Sequence, residues 1–277
     1  MFGANGEQHL SNRRTITGFS NPAVKYLRSL REKKHRKREG KFLAEGLRLL
    51  TDARENGHIP EMLVMSTRRD EHPLLTALEQ SVEQAGGEIL ECTPDILAKI
   101  TGKENPQAVA GVFAEFDTGL AALERGSAKI WLVAQALRDP GNLGTMLRTG
   151  DAVGAGGLIL IDDCADPFSV EAVRASMGAI FTQKIAQAEW GAFLPWLREG
   201  EGQLVAASLR DARPYRQAPY AAPCFLLVGN ESRGLPPEYE DACDLRVTMP
   251  MRGRADSLNA AVAGAVLAYE ALAALEP

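Results

Sequence analysis

Runs of apolar residues alternate with amphipathic stretches along this chain of 277 residues, and the alternation predicts an α/β fold. Apolar recurrence at helical spacing begins at Asn21, and a second helix is predicted to carry Leu43, Leu47 and Leu50 before a glycine stop. A further helix is predicted at 74–87. The predicted strands of this part are 61–66, 87–93 and 108–116. We therefore expect a small α/β domain of about a hundred residues.

A second series of strands and helices follows. The predicted strands are 129–137, 157–163, 182–188, 203–209, 223–231 and 245–251, and a helix of small residues closes the chain. Because helices separate most of these strands, we expect a parallel sheet that binds ligands outside the carboxyl ends of its strands. The predicted organisation is a disordered segment 1–20, a first domain 21–117, a linker 118–127 and a second domain 128–277.

Composition narrows the class of protein. Hydrophobic residues make up 45% of the chain, enough for a substantial core, but no stretch approaches the ~18 apolar residues of a membrane span. The first twenty residues lack the apolar run of a secretory signal, so we expect a cytoplasmic protein without membrane contact. The four cysteines and four histidines are scattered without ligand spacing, and no metal site is expected.

Charge is distributed unevenly. The net charge is −5, yet nine cations stand against two acids between Lys25 and Lys41. Charge runs usually form solvated faces, but this excess fits contacts to the phosphates of RNA. The residues predicted to make such contacts are Lys25, Arg28, Lys33, Lys34, Arg36, Lys37 and Arg38.

Three polar loops stand out in the second domain, at 137–149, 226–237 and 249–259. In the first, Asn142 is predicted to cap a helix and Arg148 lies about two turns further on. Taken singly, each loop has an ordinary explanation as a capped helix or a polar turn. The glycine runs 154–157 and 229–234 lack the order of a dinucleotide fingerprint or a P-loop, which argues against a common nucleotide-dependent α/β enzyme.

Taken together, the three loops are specific. The stretches NLGTMLRT (142–149), LLVGNESRGL (226–235) and VTMPMRGRADSLNAAVA (247–263) resemble motifs one to three of the SpoU-type (TrmH-like) RNA 2'-O-ribose methyltransferases of the SPOUT superfamily. The basic segment from Asn21 resembles the substrate-binding domain of rRNA-directed members. The resemblance implies a parallel-sheet C-terminal domain with a deep trefoil knot, a smaller N-terminal α/β RNA-binding domain, a homodimer and the cofactor S-adenosyl-L-methionine (AdoMet).

The resemblance also implies site residues. Those expected in catalysis are Asn142, Arg148, Glu231, Ser257 and Asn259. Those expected to bind the cofactor are Leu227, Val228, Gly229, Asn230, Gly234, Met249, Pro250, Met251, Ser257, Leu258 and Ala263. Four arginines that lie beside the motifs are expected to hold RNA phosphates: Arg138, Arg233, Arg252 and Arg254.

A guanidinium has no hydrogen-bond acceptor and a pKa above ~12. We therefore expect Arg148 to stabilise the developing alkoxide and grip a phosphate rather than act as the general base. The function expected is methylation of a ribose 2'-hydroxyl in RNA, with 23S rRNA as the substrate. The alternatives are a tRNA ribose methyltransferase, or a non-catalytic RNA-binding or ribosome-assembly protein of the same fold.

Overall fold

A computed structural model describes residues 12–276, which divide into two compact units, one ending at Glu115 and the other beginning at Phe116. The segment 118–127, expected as a linker, lies in the second unit and forms two 3-10 turns, Leu120–Ala122 and Arg125–Ser127. It is fixed there because the Trp131 indole Nε1 donates to the Arg125 carbonyl at 2.9 Å.

The first unit is a five-stranded mixed sheet with helices. Its strands are β1 (Arg13–Ile16), β2 (Lys41–Glu45), β3 (Met62–Ser66), β4 (Glu88–Cys92) and β5 (Val109–Ala114). Its helices are α1 (Pro22–Ser29), α2 (Lys33–Glu39), α3 (Leu47–Glu55), α4 (Pro73–Gln84) and α5 (Pro94–Thr101). The strand order is β1-β4-β3-β5-β2, with β1, β4 and β3 parallel and β5 antiparallel to both of its neighbours.

Two predictions for this unit are wrong. Residues 1–11 of the segment expected to be disordered lie outside the described residues, but Arg13–Ile16 pair with β4 and are therefore ordered. Leu43 belongs to β2 rather than to a helix. The reason is local, since Gly40 and Gly46 on either side adopt positive φ values of 63° and 113°, which interrupt a helix at both ends of the segment.

The second unit is built on a seven-stranded sheet whose strand pairs are all parallel. Its strands are β6 (Ile130–Gln135), β7 (Gly157–Ile161), β8 (Lys184–Ala188), β9 (Gln203–Ala207), β10 (Arg213–Pro214), β11 (Cys224–Val228) and β12 (Leu245–Thr248). Its helices are α6 (Pro140–Ala152), α7 (Val170–Ala175), α8 (Trp190–Arg198), α9 (Pro237–Asp241) and α10 (Ala260–Leu275). The predicted fold class, two α/β units of which the second has a parallel sheet, is confirmed.

The strand order places distant segments side by side. Across the sheet the order is β10-β12-β9-β11-β6-β7-β8, so β11 inserts between β9 and the strand that opens the unit. Trp131 of β6 and Phe225 of β11 are buried on one face and stack with ring centroids 5.7 Å apart. The carboxyl ends of β9, β11 and β12 consequently meet at one edge, where a parallel sheet binds its ligands.

Helices cover this sheet closely. On one side α10 packs against α6, β11 and β6. Its small residues permit this, and a β-carbon added at Gly264 would lie 3.4 Å from Met146 Cε of α6. None of the helices in residues 12–276 is both long and apolar enough to cross a membrane.

The contact between α6 and α7 depends on Gly144. A β-carbon added there would lie 2.5 Å from the Ala172 carbonyl oxygen and 2.8 Å from the Ser176 backbone nitrogen. We expect Gly144→Ala to lower the free energy of unfolding by about 1–3 kcal/mol, because two helix backbones must move apart. Urea unfolding measures the loss.

Gly191 provides the matched control. It lies exposed in α8 with nothing within 4 Å of an added β-carbon, so Gly191→Ala should stabilise the protein by about 0.5–1 kcal/mol. Equal effects of the two substitutions would contradict close packing at Gly144.

Candidate active site

A cavity of about 480 Å³ opens at the carboxyl ends of β9, β11 and β12. Residues that follow each of these strands line it, and they belong to the segments 207–210, 228–235 and 247–263. The cavity size is typical of a small-molecule or cofactor site. The three loops are far apart in sequence and meet because their strands are neighbours in the sheet.

The loop after β11 is shaped by Asn230. Its side-chain Nδ2 donates to the Ala136 carbonyl at 2.8 Å, and its Oδ1 accepts from the backbone nitrogens of Ser232 and Arg233 at 3.0 and 3.2 Å. Gly229 permits the turn, because an added β-carbon there would lie 2.6 Å from the Gly234 carbonyl carbon. A tight turn thus holds this loop against the end of β6.

The polar residues before α10 have separate roles. Asn259 is the N-cap, and its Oδ1 accepts from the backbone nitrogens of Ala261 and Val262 at 3.0 and 3.2 Å. Ser257 does not cap the helix. Its hydroxyl lies 3.4 Å from Asp256 Oδ1, and both residues line the cavity.

Asn142 links two of the loops. Its Nδ2 donates to Glu231 Oε1 at 3.0 Å, and its Oδ1 accepts from Asn259 Nδ2 at 2.9 Å. The prediction that Asn142 caps α6 is wrong, because Asp139 is the cap and accepts from the Asn142 backbone nitrogen at 2.6 Å. Pro140 at the first helical position fixes this start. The Asn142 side-chain amide is therefore free of the capping role and bonds Glu231 and Asn259.

Arg148 does not belong to this cluster within one chain. It lies six residues after Asn142 on α6, which is about 9 Å along the helix axis and about 240° around it. The side chain is exposed and does not line the cavity. The structure therefore brings together Asn142, Glu231 and Asn259 and leaves the arginine outside.

Most of the residues predicted to bind the cofactor line the cavity, and two do not. Those that line the cavity are Val228, Gly229, Asn230, Gly234, Met249, Met251, Ser257, Leu258 and Ala263. Leu227 and Pro250 do not line it, and the Leu227 side chain is fully buried in the core of the sheet.

Sequence reasoning missed one wall. The lining residues on this side are Ala207 at the end of β9, then Ser208, Leu209 and Arg210, together with Glu240. The expected ligand position at the ends of parallel strands could have indicated the segment after β9.

The basic segment 25–41 of the first unit presents exposed cations, and one member of the predicted RNA-binding set is an exception. The exposed residues of the predicted RNA-binding set are Lys25, Arg28, Lys33, Lys34, Lys37 and Arg38. Arg36 is only 2% exposed, and its Nη1 donates to the carbonyls of Leu30 and Arg31. Its prediction as an RNA contact is wrong, since the side chain joins α2 to the turn after α1.

Two further predicted RNA contacts lie in the second unit. Arg138 is exposed and forms an ion pair with Asp163, whereas Arg233 is exposed in the loop after β11. An exposed ion pair is weak in water, so Arg138 can exchange Asp163 for a phosphate at little cost.

Other reactive groups in the described region do not form a site. All four cysteines are free thiols, and burial raises the pKa of Cys92 and Cys164 to about 11 and that of Cys224 and Cys243 to about 12. They are therefore protonated at neutral pH and poor nucleophiles. Within residues 12–276 no three His, Cys, Asp or Glu side chains are grouped to hold a metal ion.

Two substitutions of Asn259 separate its two hydrogen-bonding roles. We expect Asn259→Ala to lower the free energy of unfolding by about 1 kcal/mol, because α10 loses its cap. Asn259→Asp keeps the capping acceptor but loses the donor to Asn142, so it should recover most of this stability. Urea unfolding near neutral pH measures both, and an Asp variant no more stable than the Ala variant would argue against the capping role.

Comparison with known proteins agrees with these motifs and loops. Residues 129–269 match the SpoU rRNA Methylase family, and residues 21–111 match the MRM3-like substrate binding domain. The 23S rRNA (guanosine(2553)-2'-O)-methyltransferase RlmP of Bacillus subtilis is 31% identical over 92% of this chain and 97% of its own length. A 23S rRNA (uridine(2479)-2'-O)-methyltransferase of Streptomyces viridochromogenes is 30% identical over 86% of this chain and 84% of its own length.

Solved structures are similar to this chain over nearly its whole length. The AdoMet-bound rRNA methyltransferase of Sinorhizobium meliloti superposes with a TM-score of 0.88 at 38% identity, covering 94% of this chain and 98% of that one. The SpoU methyltransferase AviRb of Streptomyces viridochromogenes, in complex with AdoMet, gives 0.83 at 27% identity, covering 91% and 97%. On the match across most of its second unit and the full-length similarity to these relatives, this chain belongs to the SpoU rRNA methylase family.

Proposed function

We propose that this protein transfers a methyl group from AdoMet to a ribose 2'-hydroxyl of 23S rRNA. The observation that carries the proposal is the hydrogen-bonded cluster of Asn142, Glu231 and Asn259 at a cofactor-sized cavity. The named activity of the relatives from B. subtilis and S. viridochromogenes supports 23S rRNA as the substrate. The match to a substrate binding domain supports RNA binding by the first unit.

The cavity suits AdoMet in shape and chemistry. Apolar side chains of Val228, Leu235 and Met251 line it and fit a purine ring and a thioether chain. Thr248 and Ser257 provide hydroxyls for the polar ribose and amino-acid ends. AdoMet supplies a methyl group on a positively charged sulfur, and two solved members of the family hold it.

The protein's task is to position a weak nucleophile. A ribose hydroxyl near neutral pH must be aligned for in-line displacement and lose its proton, so orientation and local charge supply the acceleration. The Arg148 guanidinium stabilises the developing alkoxide and grips the neighbouring phosphate with its planar fork. The proton of the ribose 2'-hydroxyl passes to water or to a phosphate oxygen, because a guanidinium cannot accept a proton. Asn142, held by Glu231, orients the ribose.

A homodimer would bring an Arg148 to the cavity although the arginine of the same chain lies away from it. An apolar face on α10 supports it, where Val262 and Tyr269 are 46% and 55% exposed and lie seven residues apart on one side of the helix. In this arrangement the partner subunit's Arg148 serves the cavity of the first subunit. The active site then draws on both chains.

The chain path supports the deep trefoil knot of the SPOUT superfamily. β12 lies beyond β9 on the far side from β11, yet α10, which follows it, packs against α6, β6 and β11. Residues 249–259 make this return along the cavity, beside the loop after β11. Threading here would fix the cavity-lining backbone without any ligand.

The substrate and location are inferred with the enzyme class. Solvated cations on the first unit favour a large structured RNA, whereas tRNA and a non-catalytic role in ribosome assembly are the alternatives. The intact Asn142 cluster favours catalysis over assembly alone. We propose a cytoplasmic location, in keeping with the named bacterial rRNA methyltransferases.

Mapping of 2'-O-methylation tests the substrate. In a strain that lacks this protein we expect one ribose methylation in 23S rRNA to disappear while tRNA methylation is unchanged. Re-expression of the wild-type chain should restore the mark, and a chain with Asn142→Ala should not. Loss confined to tRNA would show that the substrate is wrong.

Arg148→Lys tests the role of the planar fork. The charge is kept but bidentate contact is lost, so we expect turnover to fall at least about tenfold with AdoMet affinity unchanged. Arg174→Lys, an exposed arginine of α7, is the control and should behave as wild type. Wild-type turnover in Arg148→Lys would contradict the proposed role of the planar guanidinium.

Mixing two inactive variants tests the shared site. Arg148→Ala supplies an intact cavity, and Gly229→Ala supplies an intact arginine with a distorted cavity. Co-refolded together they should regain activity that neither variant has alone. If the mixture stays inactive although it forms mixed dimers, each site uses its own arginine.

A further inference from the structure

One wall of the cavity contains none of the family's three motifs. It is formed by Ser208, Leu209 and Arg210, which follow β9. The strand β9 ends at Ala207, and the Ser208 backbone nitrogen still donates to the Val247 carbonyl at 3.0 Å. Leu209 is 78% exposed despite its apolar side chain. Apolar packing therefore does not hold this wall in place.

Polar contacts to Glu240 hold it instead. The Ser208 hydroxyl donates to Glu240 Oε1 at 2.6 Å, and Arg210 Nη1 lies 3.7 Å from Glu240 Oε2. The Ser208 Oγ also accepts from the Arg210 backbone nitrogen at 3.0 Å, and Arg210 Nη2 lies 2.8 Å from Asp241 Oδ1. Ser208 and Arg210, which flank Leu209, are thus both bonded to the helix α9.

The Glu240 contacts differ from an ordinary surface ion pair. Exposed pairs contribute little, but the Glu240 side chain is only 12% exposed. A shielded carboxylate that loses its donors keeps the cost of its desolvation, so breaking these contacts has a large effect. The guanidinium of Arg210 is half-exposed and adds less than the serine hydroxyl.

The helix α9, which carries Glu240, is itself held in place by contacts of Tyr239. The Tyr239 hydroxyl donates to Asp162 Oδ2 at 3.0 Å, and its ring stacks on Trp190 with centroids 3.9 Å apart. Asp162 also accepts from Gln135 Nε2 and from the Trp190 backbone nitrogen, both at 3.0 Å. Burial, followed by the Asp162 hydrogen bond, raises the pKa of Tyr239 to about 12, so the phenol remains a donor at physiological pH.

We propose that Glu240 is a positioning residue that holds the wall of residues 208–210 against the AdoMet cavity before the cofactor binds. The identity of the cofactor rests on the proposed function. When residues 208–210 are ordered before the cofactor binds, binding does not include the entropic cost of ordering them. The affinity for the cofactor is therefore higher. Glu240 lies outside the hydrogen-bonded cluster of Asn142, Glu231 and Asn259, so we expect its loss to affect cofactor binding and leave the chemical step intact.

Three variants of α9 test this role. Glu240→Ala removes both acceptors, Glu240→Gln keeps an oxygen for Ser208 but loses the charge, and Glu238→Ala is the matched control on the exposed side of the same helix. Isothermal calorimetry measures AdoMet affinity. Hydrogen exchange of the backbone amides 208–211, with no cofactor present, measures the wall directly.

We expect Glu240→Ala to bind AdoMet about tenfold more weakly and to exchange the 208–211 amides faster, with Glu240→Gln in between and Glu238→Ala as wild type. In methylation assays the KM for AdoMet should rise, with kcat and the KM for RNA unchanged. Ser208→Ala should reproduce the faster exchange, which provides a second route if Glu240→Ala fails to fold.

The outcomes separate this inference from the proposed function. Wild-type affinity and wild-type exchange in both Glu240→Ala and Ser208→Ala would overturn the positioning role and leave the methyltransferase assignment standing. Failure of the wild-type protein to bind AdoMet would overturn the assignment, while the exchange rates would still decide whether Glu240 holds the wall. A fall in kcat equal to the rise in KM would place Glu240 in the chemical step and contradict the proposal.

Discussion

The hydrogen bond between Asn259 and Asn142 joins the two halves of the site, and the rest of the arrangement depends on it. One amide oxygen caps α10 while the nitrogen of the same side chain reaches α6. The start of the closing helix is thereby set against the start of the helix that carries Arg148. Because Asn142 in turn holds Glu231, the loops after β11 and β12 are fixed by one small network.

This network explains why the last helix begins with so many polar groups. A helix start needs one capping side chain, and Asn259 provides it. Ser257 and Asp256 are left facing the cavity, and Arg252 and Arg254 remain exposed beside it. The surplus of hydrogen-bonding groups is therefore divided between the cavity, which Ser257 and Asp256 line, and the exposed surface.

The two sides of the cavity are held by different forces. On the side of β11 and β12, close backbone packing at Gly229 and the cap of α10 fix the loops. On the side of β9, the shielded Glu240 carboxylate holds residues 208–210, and Asp241 adds an ion pair to Arg210. Backbone packing survives most side-chain changes, whereas the second side depends on side-chain contacts, chiefly those of Glu240. Differences in cofactor affinity among relatives are accordingly expected on the side of β9.

The sequence by itself determined the α/β alternation, the parallel sheet of the second unit and the three polar loops, because hydrophobic periodicity and capping are local properties of the chain. It placed Leu43 of β2 in a helix, although Gly40 ends α2 before this strand and Gly46 precedes α3 after it, both with positive φ. It also misplaced the cap of α6, where Pro140 shifts the start to Asp139. The charge run predicted an RNA-binding surface, but not that Arg36 turns inward to the carbonyls of the preceding turn. Only the tertiary structure decided that Asn142 meets residues 89 and 117 positions away, that Glu240 meets Ser208, and that Arg148 points out of its own cavity. The physical reason is strand order, since inserting β11 beside β6 and β9 beside β12 brings together chain segments whose proximity no local pattern encodes.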